Sequence, residues 1–524
     1  MIRRCFSGLT AKYADKAVCM VTLDRPVVVG RGAGPAPRPM RRASLWVGLA
    51  AVLVTYAGAG IPSYWGDEAA SVLSAQRSWE SLAAELSTVD AVHGLYYSLL
   101  HVWVDLFGSS EWSTRALSAI GIGFLAAGVV VLGRRWYDTR TAILAGLLLP
   151  LIPRAGVLAI EARGYALAAA AAVWVTVLLV HIVDRGSGRA AWVLYATAVA
   201  VSGTLFLYLL LMPLVHAAWL LTRRALHGRV ARRWVGSMAI AAVLAAPILL
   251  AASSQRGQVA FLSHRGYMSM RGWFVTPWFA HPAPAALLLP LLAIGVLVVL
   301  RRRRSIPAAL PTVAWLLAPA AVLVLLDVFV SPTYNPRYLS ISLGAVALLL
   351  SSGAWAVVDL ARRIDVRGGT LAATALLGIG AVILVPEFVH QRTAFAKDGG
   401  ADGRAVAAEV AARSDPGDTV LFGTGTRPSR APRLIYRLYL EAFAGLEDPQ
   451  LITPADETDG LWDRMDVVAD VAPGLGDGTV WLLETGSSGS ADDDVAALQR
   501  AGFTQVSRTD VHRTIVYEFR KGTS

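Results

Sequence analysis

The sequence predicts an α-helical polytopic membrane protein of about 11 transmembrane helices with a C-terminal extracytoplasmic α/β domain. Three observations predict it. Of 524 residues, 55% are hydrophobic and only 16% charged, against about 25% charged in an ordinary soluble domain. The apolar residues come in long blocks rather than alternating with polar ones. Charge is also segregated: residues 1–43 carry nine Lys/Arg and two Asp, 44–387 carry 25 basic and 14 acidic residues, and 388–524 carry 14 basic and 21 acidic. These numbers exclude a chain that is soluble throughout, and they exclude disorder over most of the length.

Residues 1–43 read as a basic, flexible cytosolic tail, with a Pro/Gly run at Gly30–Pro39. Met20 and Met40 are alternative starts. Arg41-Arg42 ahead of an apolar run, with Ala57-Gly58-Ala59 after it, also fits a signal peptide. Both cysteines, Cys5 and Cys19, lie in this tail, so the body has no disulfide framework and no cysteine metal site.

Residues 44–387 read as the transmembrane domain. The apolar blocks fall near 44–61, 116–133, 141–159, 166–183, 190–206, 207–222, 234–252, 284–300, 308–330, 339–358 and 370–387. A spanning helix needs about 20 apolar residues, with about 17 as the lower limit. The segment 190–222 is long for one span and short for two. The bias of Lys/Arg toward cytoplasmic loops decides it. With the N-terminus inside and 190–222 split, the Arg-rich loops 134–140, 184–189, 223–233, 301–304 and 359–369 all fall on the cytosolic side. A single span there would translocate Arg301–Arg304. The C-terminal domain then lies outside. The basic excess thus reads as a topology signal rather than a nucleic-acid face.

Residues 388–524 change character. Helix-like Arg404–Arg413 and Asp492–Ala501 alternate with strand-like Thr419–Phe422, Val480–Glu484 and Thr514–Phe519, the pattern of a small α/β domain.

Chemistry is best sought in the outer loops. After the first block comes Tyr64-Trp65-Gly66-Asp67-Glu68, and about 25 residues later His93-Gly94-Leu95-Tyr96-Tyr97. Between them, Trp79, Leu82, Ala83 and Leu86 share one helical face that suits a membrane interface. A carboxylate at an apolar boundary can act as a general base toward a hydroxyl. Asp67 could equally cap the helix that starts there, and both readings stay open. Glu161-Ala162-Arg163-Gly164-Tyr165 forms a short outer loop. Ionisable residues at that depth are paired or functional. Arg337, in Asn335-Pro336-Arg337-Tyr338-Leu339, is translocated against the topology bias, and its guanidinium suits a phosphate. The loop 253–283 adds His264, Arg265, Tyr267, Trp273, Trp278 and His281. These suit a lipid phosphate and a sugar face, or an interfacial segment. No Walker A, dinucleotide fingerprint or His-Glu-x-x-His motif occurs, so ATP-driven transport and zinc proteolysis find no support.

The order Asp-Glu after the first span, His…Tyr-Tyr, Glu-x-Arg-x-Tyr-x-Leu, then Arg-Tyr-Leu before a late span resembles the GT-C membrane glycosyltransferases. The nearest group is the protein mannosyltransferase and aminoarabinose transferase-like type (glycosyltransferase family 39-like). The resemblance covers about residues 44–360. It implies a sugar, mannose or a pentose, moved from a polyprenyl-phosphate donor to an extracytoplasmic cell-envelope glycan, lipid or protein. It implies Asp67 as general base and Glu68 as its orienting partner or an acceptor contact. Glu161, Arg163 and Tyr165 would lie near acceptor and donor phosphate, and Arg337 and Tyr338 at the phosphate. His93 stands where many relatives carry His-Pro-Pro; here it is His93-Gly94-Leu95. No cofactor is required; a divalent cation is left open, although Asp67-Glu68 alone is a poor metal site. The rival reading is a polytopic transporter or lipid-linked-sugar flippase. That reading expects charges deep in the spans and interrupted helices in corresponding halves, whereas the charges here cluster in the outer loops.

Overall fold

The computed structural model describes residues 38–302, 308–486 and 489–522. The first helix, α1 (Arg38–Tyr56), starts six residues before the apolar block at 44, so the end of the expected basic tail is already helical. Residues 1–37, including both cysteines, lie outside the described residues.

Three short helices follow α1: α2 (Gly66–Ala75), α3 (Trp79–Thr88) and α4 (Gly94–Phe107). The helices of the apolar body are α5 (Glu111–Trp136), α6 (Thr139–Leu148), α7 (Pro153–Ala159), α8 (Tyr165–Arg185), α9 (Arg189–Leu205), α10 (Met212–Thr222) and α11 (Gly228–Ser254). The loop after α11 holds α12 (Met270–Phe274) and α13 (Thr276–Phe279). Then come α14 (Pro282–Arg301), α15 (Ala309–Phe329), α16 (Leu343–Ile364) and α17 (Val366–His390). Seven of these are long and apolar enough to cross a membrane. The count is eight if α6 and α7, bent by 61° at Ile152-Pro153, form one span. The expected figure of 11 adds the shorter α1, α9 and the 207–222 segment. Within 190–222 the helix does stop, at Phe206, whose backbone is extended (φ −157, ψ 113).

Close helix approach follows from small residues, as expected where packing rather than water drives association. α14 and α16 cross at Gly295 and Gly353. A Cβ on either would stand 2.0 Å from a backbone oxygen of the other helix, Leu349 O or Leu291 O. α16 is the central helix, with 78% of its apolar stretch buried, whereas α17 buries 6% and is left for lipid.

The amphipathic segment predicted for the interface is α3. Its N-cap Ser78 accepts from Ser81 N–H, the capping that starts a helix there. Part of its apolar face is used internally: Leu82 is buried, and Leu86 packs with Tyr96, Tyr97 and Leu100. Ser81 Oγ donates to the Asp456 carbonyl at 2.6 Å, tying α3 to the C-terminal region.

That region holds α18 (Gly403–Ala411), β1 (Thr419–Phe422), α19 (Arg433–Leu438), β2 (Leu451–Thr453), β3 (Arg464–Met465), α20 (Val468–Val471), β4 (Thr479–Thr485), α21 (Ala491–Arg500), β5 (Phe503–Asp510) and β6 (Thr514–Lys521). The main sheet has the order β1-β4-β6-β5. β1 is parallel to β4 (Val420 beside Trp481), and the rest is antiparallel. Both faces are covered: Val406, Val410 and Ile435 from α18 and α19 pack on one, Val468 and Leu498 from α20 and α21 on the other. Sequence reasoning found β1, β4 and β6 but not β5, an edge strand in which only Phe503 is buried. Further contacts converge on Glu111 of α5. Tyr439 Oη donates to Glu111 Oε1 at 2.7 Å, and Arg404 pairs with the same oxygen at 2.6 Å.

Candidate active site

The site is built on the first turn of α2. Its N-cap is Trp65, in extended backbone and without a side-chain cap bond. Asp67 is therefore not the cap, and its carboxylate is free for other work. Gly66 is obligatory for a packing reason, since a Cβ there would lie 2.0 Å from Ser429 O. Successive residues of a helix point about 100° apart. Asp67 and Glu68 accordingly part company: the Asp67 side chain is 36% exposed and Glu68 is wholly buried.

Asp67 Oδ2 accepts from Arg337 NH1 at 2.7 Å. Arg337 is presented by a 3₁₀ turn over Pro336–Ser342. Asn335 starts that turn, its Oδ1 accepting from Arg337 N–H at 3.1 Å. The guanidinium also lies over the Trp65 ring, 4.6 Å from its centre, where cation–π attraction holds it.

Glu68 is the hub beneath. It accepts from Arg115 Nε and NH2, both at 2.8 Å, from Ala162 N–H at 2.9 Å and from Lys397 Nζ at 3.1 Å. Burial alone pushes the Glu68 carboxyl up, but Arg115 and Lys397 outweigh it and hold the group below its ordinary value. Burial and the neighbouring Arg115 pull the Lys397 ammonium down to about 8, against the pull of Glu68. Through Arg115, which donates to the Ala59 and Pro62 carbonyls, the hub fixes the segment between α1 and α2. Through Ala162 it fixes the loop that carries Arg163.

Arg163 donates from NH1 to Asp67 O (3.2 Å), Ser71 Oγ (3.1 Å) and Tyr97 Oη (3.2 Å). Its NH2 lies 3.0 Å from His93 Nε2. Arginine can only donate, so Nε2 accepts and His93 is neutral. Burial first, then the Arg163 charge, lowers His93 to about 4. Tyr97 Oη in turn donates to Asp90 Oδ2 at 2.7 Å.

Tyr165 and Tyr338 close one side with Phe206 and Tyr208. The Tyr338 ring lies 4.8 Å from Tyr208 and 6.5 Å from Tyr165. Glu161 is buried, and its Oε2 has no hydrogen-bond partner among the described residues. Arg337 and Arg154 are within electrostatic reach of it. Arg154 is itself buried, donating to the Pro277 carbonyl at 3.2 Å and to that of Thr276.

Eight residues singled out in the sequence thus fall in one neighbourhood: Asp67, Glu68, His93, Glu161, Arg163, Tyr165, Arg337 and Tyr338. Sequence reasoning missed Arg115, Lys397, Arg154, Asp90 and Ser71. Arg115 had a signal, an ionisable residue in the first turns of a long apolar helix. Lys397 had none, since it sits in an irregular stretch. No group of three His, Cys, Asp or Glu side chains suited to a metal ion occurs among the described residues. The groups around Asp67 are cations, and Glu68 is enclosed by two more. This donor set does not fit a divalent ion, and no step is routed through one.

Neither a protein-family model nor a curated protein matches the sequence. Solved structures do. ArnT from Cupriavidus metallidurans bound to undecaprenyl phosphate aligns over 90% of this chain and 97% of its own, with 16% identity and a TM-score of 0.56. The chain adopts the GT-C fold. ArnT in the apo state aligns over the same shares, with 14% identity and a TM-score of 0.58. The oligosaccharyltransferase of Archaeoglobus fulgidus, in complex with zinc and sulfate, covers 90% of this chain and 72% of its own at 11% identity. Its TM-score of 0.48 is too loose to argue from. The GT-C likeness takes in the spans and the C-terminal sheet region alike, as 90% coverage requires.

Proposed function

We propose that the protein is a membrane glycosyltransferase. It moves a sugar, mannose or a pentose, from a polyprenyl-phosphate donor to a hydroxyl on an extracytoplasmic envelope glycan, lipid or protein. The observation that carries this reading is the half-exposed Asp67–Arg337 pair at 2.7 Å, with Arg163 beside it. It places one carboxylate next to two phosphate-seeking guanidiniums at the end of the spans. ArnT, whose fold this chain shares, binds undecaprenyl phosphate.

The chemistry follows from the geometry. While Arg337 holds Oδ2, that oxygen is engaged and does not take a proton. A donor phosphate competes for Arg337, for which phosphate geometry is well matched, and its arrival releases Asp67. Asp67 then takes the proton from the acceptor hydroxyl. The acceptor oxygen bonds to the anomeric carbon from the face opposite the phosphate. The carbon–oxygen bond to phosphate breaks, and its electron pair leaves on the phosphate. Arg337 and Arg163 stabilise that growing charge in a site already organised for it. The anomeric configuration inverts. Glu68 has no exposed surface to meet an acceptor; its part is to fix the Arg163 loop through Ala162. Tyr165 and Tyr338 form an aromatic wall for the donor. The N-terminus lies in the cytoplasm and the C-terminal domain outside.

The test is incubation of the purified full chain in nanodiscs with a panel of polyprenyl-phosphate sugars and an envelope extract as acceptor. Acceptor-dependent release of polyprenyl phosphate from one donor supports the reading. No release from any donor by folded protein overturns it and favours a transporter.

A further inference from the structure

The C-terminal layer holds a second cavity away from Asp67. It measures about 210 Å³ and is lined by Gly423, the residue directly after β1, by Met465 of β3 and by Arg433, Leu434 and Arg437 of α19. In open α/β sheets, ligands bind in the crevice outside the carboxyl ends of parallel strands. β1 and β4 are the parallel pair here. Leu73 of α2, the same helix whose first turn carries Asp67, also lines it. Six residues of helix separate them, about 9 Å along the axis. A narrower seam shares Ala431 and Leu434 with this cavity and ends on Trp65 and Gly66, next to Asp67.

The lining has two characters. Trp462, Leu434 and Leu73 make an apolar floor, Trp462 packing against the cluster of Ala69, Leu73 and Leu434. Around it stand polar groups of unequal commitment. Arg433 is locked: its Nε donates to Asp463 at 2.7 Å and its NH1 to Asp448. Arg437 is loose, reaching Asp456 only at 3.5 Å and Asp463 at 3.6 Å. The hydroxyl of Thr426 is shielded and has no hydrogen-bond partner among the described residues. An aromatic face, a loosely held guanidinium and an unpaired hydroxyl are what a sugar ring asks for. It offers an apolar C–H face and hydroxyls that both donate and accept. The volume is below the roughly 300–1,000 Å³ of pockets for drug-sized ligands, so it admits one ring and not a stretch of peptide.

We infer that this cavity is an acceptor subsite that binds one ring of a neutral glycan, a short distance from the hydroxyl presented to Asp67. The inference rests on the glycosyltransferase reading for its purpose, but not for its test. Trp462 stacks on the ring, and Arg437 and Thr426 bind its hydroxyls.

The test is saturation-transfer NMR on the full chain in nanodiscs, with methyl mannobioside and methyl arabinobioside as probes and no donor. One of the two receives saturation from wild type. Asp67→Asn binds it equally, because the cavity is separate from the base. Arg437→Ala weakens binding at least tenfold, and so does Trp462→Ala, whereas Trp462→Phe keeps most of it. With the transferase active, Arg437→Ala raises the acceptor KM and leaves the donor KM unchanged. Absence of binding by wild type overturns the proposal, as does binding that Arg437→Ala and Trp462→Ala proteins with wild-type melting both leave unaltered. Competition by an unglycosylated peptide rather than by sugar also overturns it. If no donor is ever consumed but sugar binding depends on Trp462 and Arg437, the subsite stands and the transferase reading falls.

Discussion

Replacing Glu68 by Gln keeps the shape of the side chain and removes one buried charge. Glu68 and Arg115 have no exposed side-chain surface, and Lys397 is 7% exposed. The substitution leaves two buried cations facing an amide that can satisfy only part of Arg115. Breaking a buried ion pair by removing one partner costs about 3–5 kcal/mol. A large chain shifts its melting midpoint by about 2 °C per kcal/mol, so the expected fall is about 6–10 °C. Part of it should return in the double variant Glu68→Gln/Lys397→Met, which removes one uncompensated charge. The assay is intrinsic-fluorescence melting of wild type, Glu68→Gln, Lys397→Met and the double variant in one detergent. Stability should also fall with acid. The folded carboxyl lies below its ordinary value near 4.5, so its contribution is complete above that pH and is lost as pH drops through the folded value. A Glu68→Gln protein that melts within 1 °C of wild type, yet has lost transfer, would refute the structural role. It would return Glu68 to the chemistry.

Three further outcomes are expected. Arg337→Lys keeps the charge but loses the fork and the stacking on Trp65. Donor affinity should fall about tenfold to a hundredfold, for a charge-assisted bond worth about 1.5–3 kcal/mol, as read by equilibrium binding of polyprenyl phosphate. His93→Gln should flatten the stability–pH curve between pH 6.5 and 4. The folded imidazole titrates near 4 and the unfolded one near 6.5, so the unfolded chain binds the proton first and wild type loses about 1–3 kcal/mol across that window. Acid melts at half-unit steps would show it. Gly353→Ala puts a methyl 2.0 Å from Leu291 O and should cost about 1–3 kcal/mol through forced separation of α14 and α16, visible as a lowered melting point with unchanged donor affinity.

The helices were legible because burial in lipid writes itself as long apolar runs, and the break near Phe206 was legible because Arg placement constrains sidedness. The charges at the site were legible one at a time. Asp67, Arg163 and Arg337 each stand out as an ionisable group at a span end, which needs a reason. Their pairing was not, because Asp67 and Arg337 are 270 positions apart and no local period relates them. The division of labour between Asp67 and Glu68 was hidden too. Adjacent letters say nothing about which one faces Arg115, and that is settled by the rotation of α2 against α5. β5 escaped notice because a polar edge strand with one buried residue has no alternation to read.

The central claim is that Asp67 is the base and is set free when phosphate takes Arg337. The most direct measurement is single-turnover release of polyprenyl phosphate by wild type and Asp67→Asn, with donor binding measured on the same samples. The account predicts donor binding in Asp67→Asn as tight as wild type or tighter, since Arg337 no longer has a rival partner. It predicts release slower by about a hundredfold to ten-thousandfold, the usual weight of a general base. Release at the wild-type rate from fully bound Asp67→Asn would contradict it.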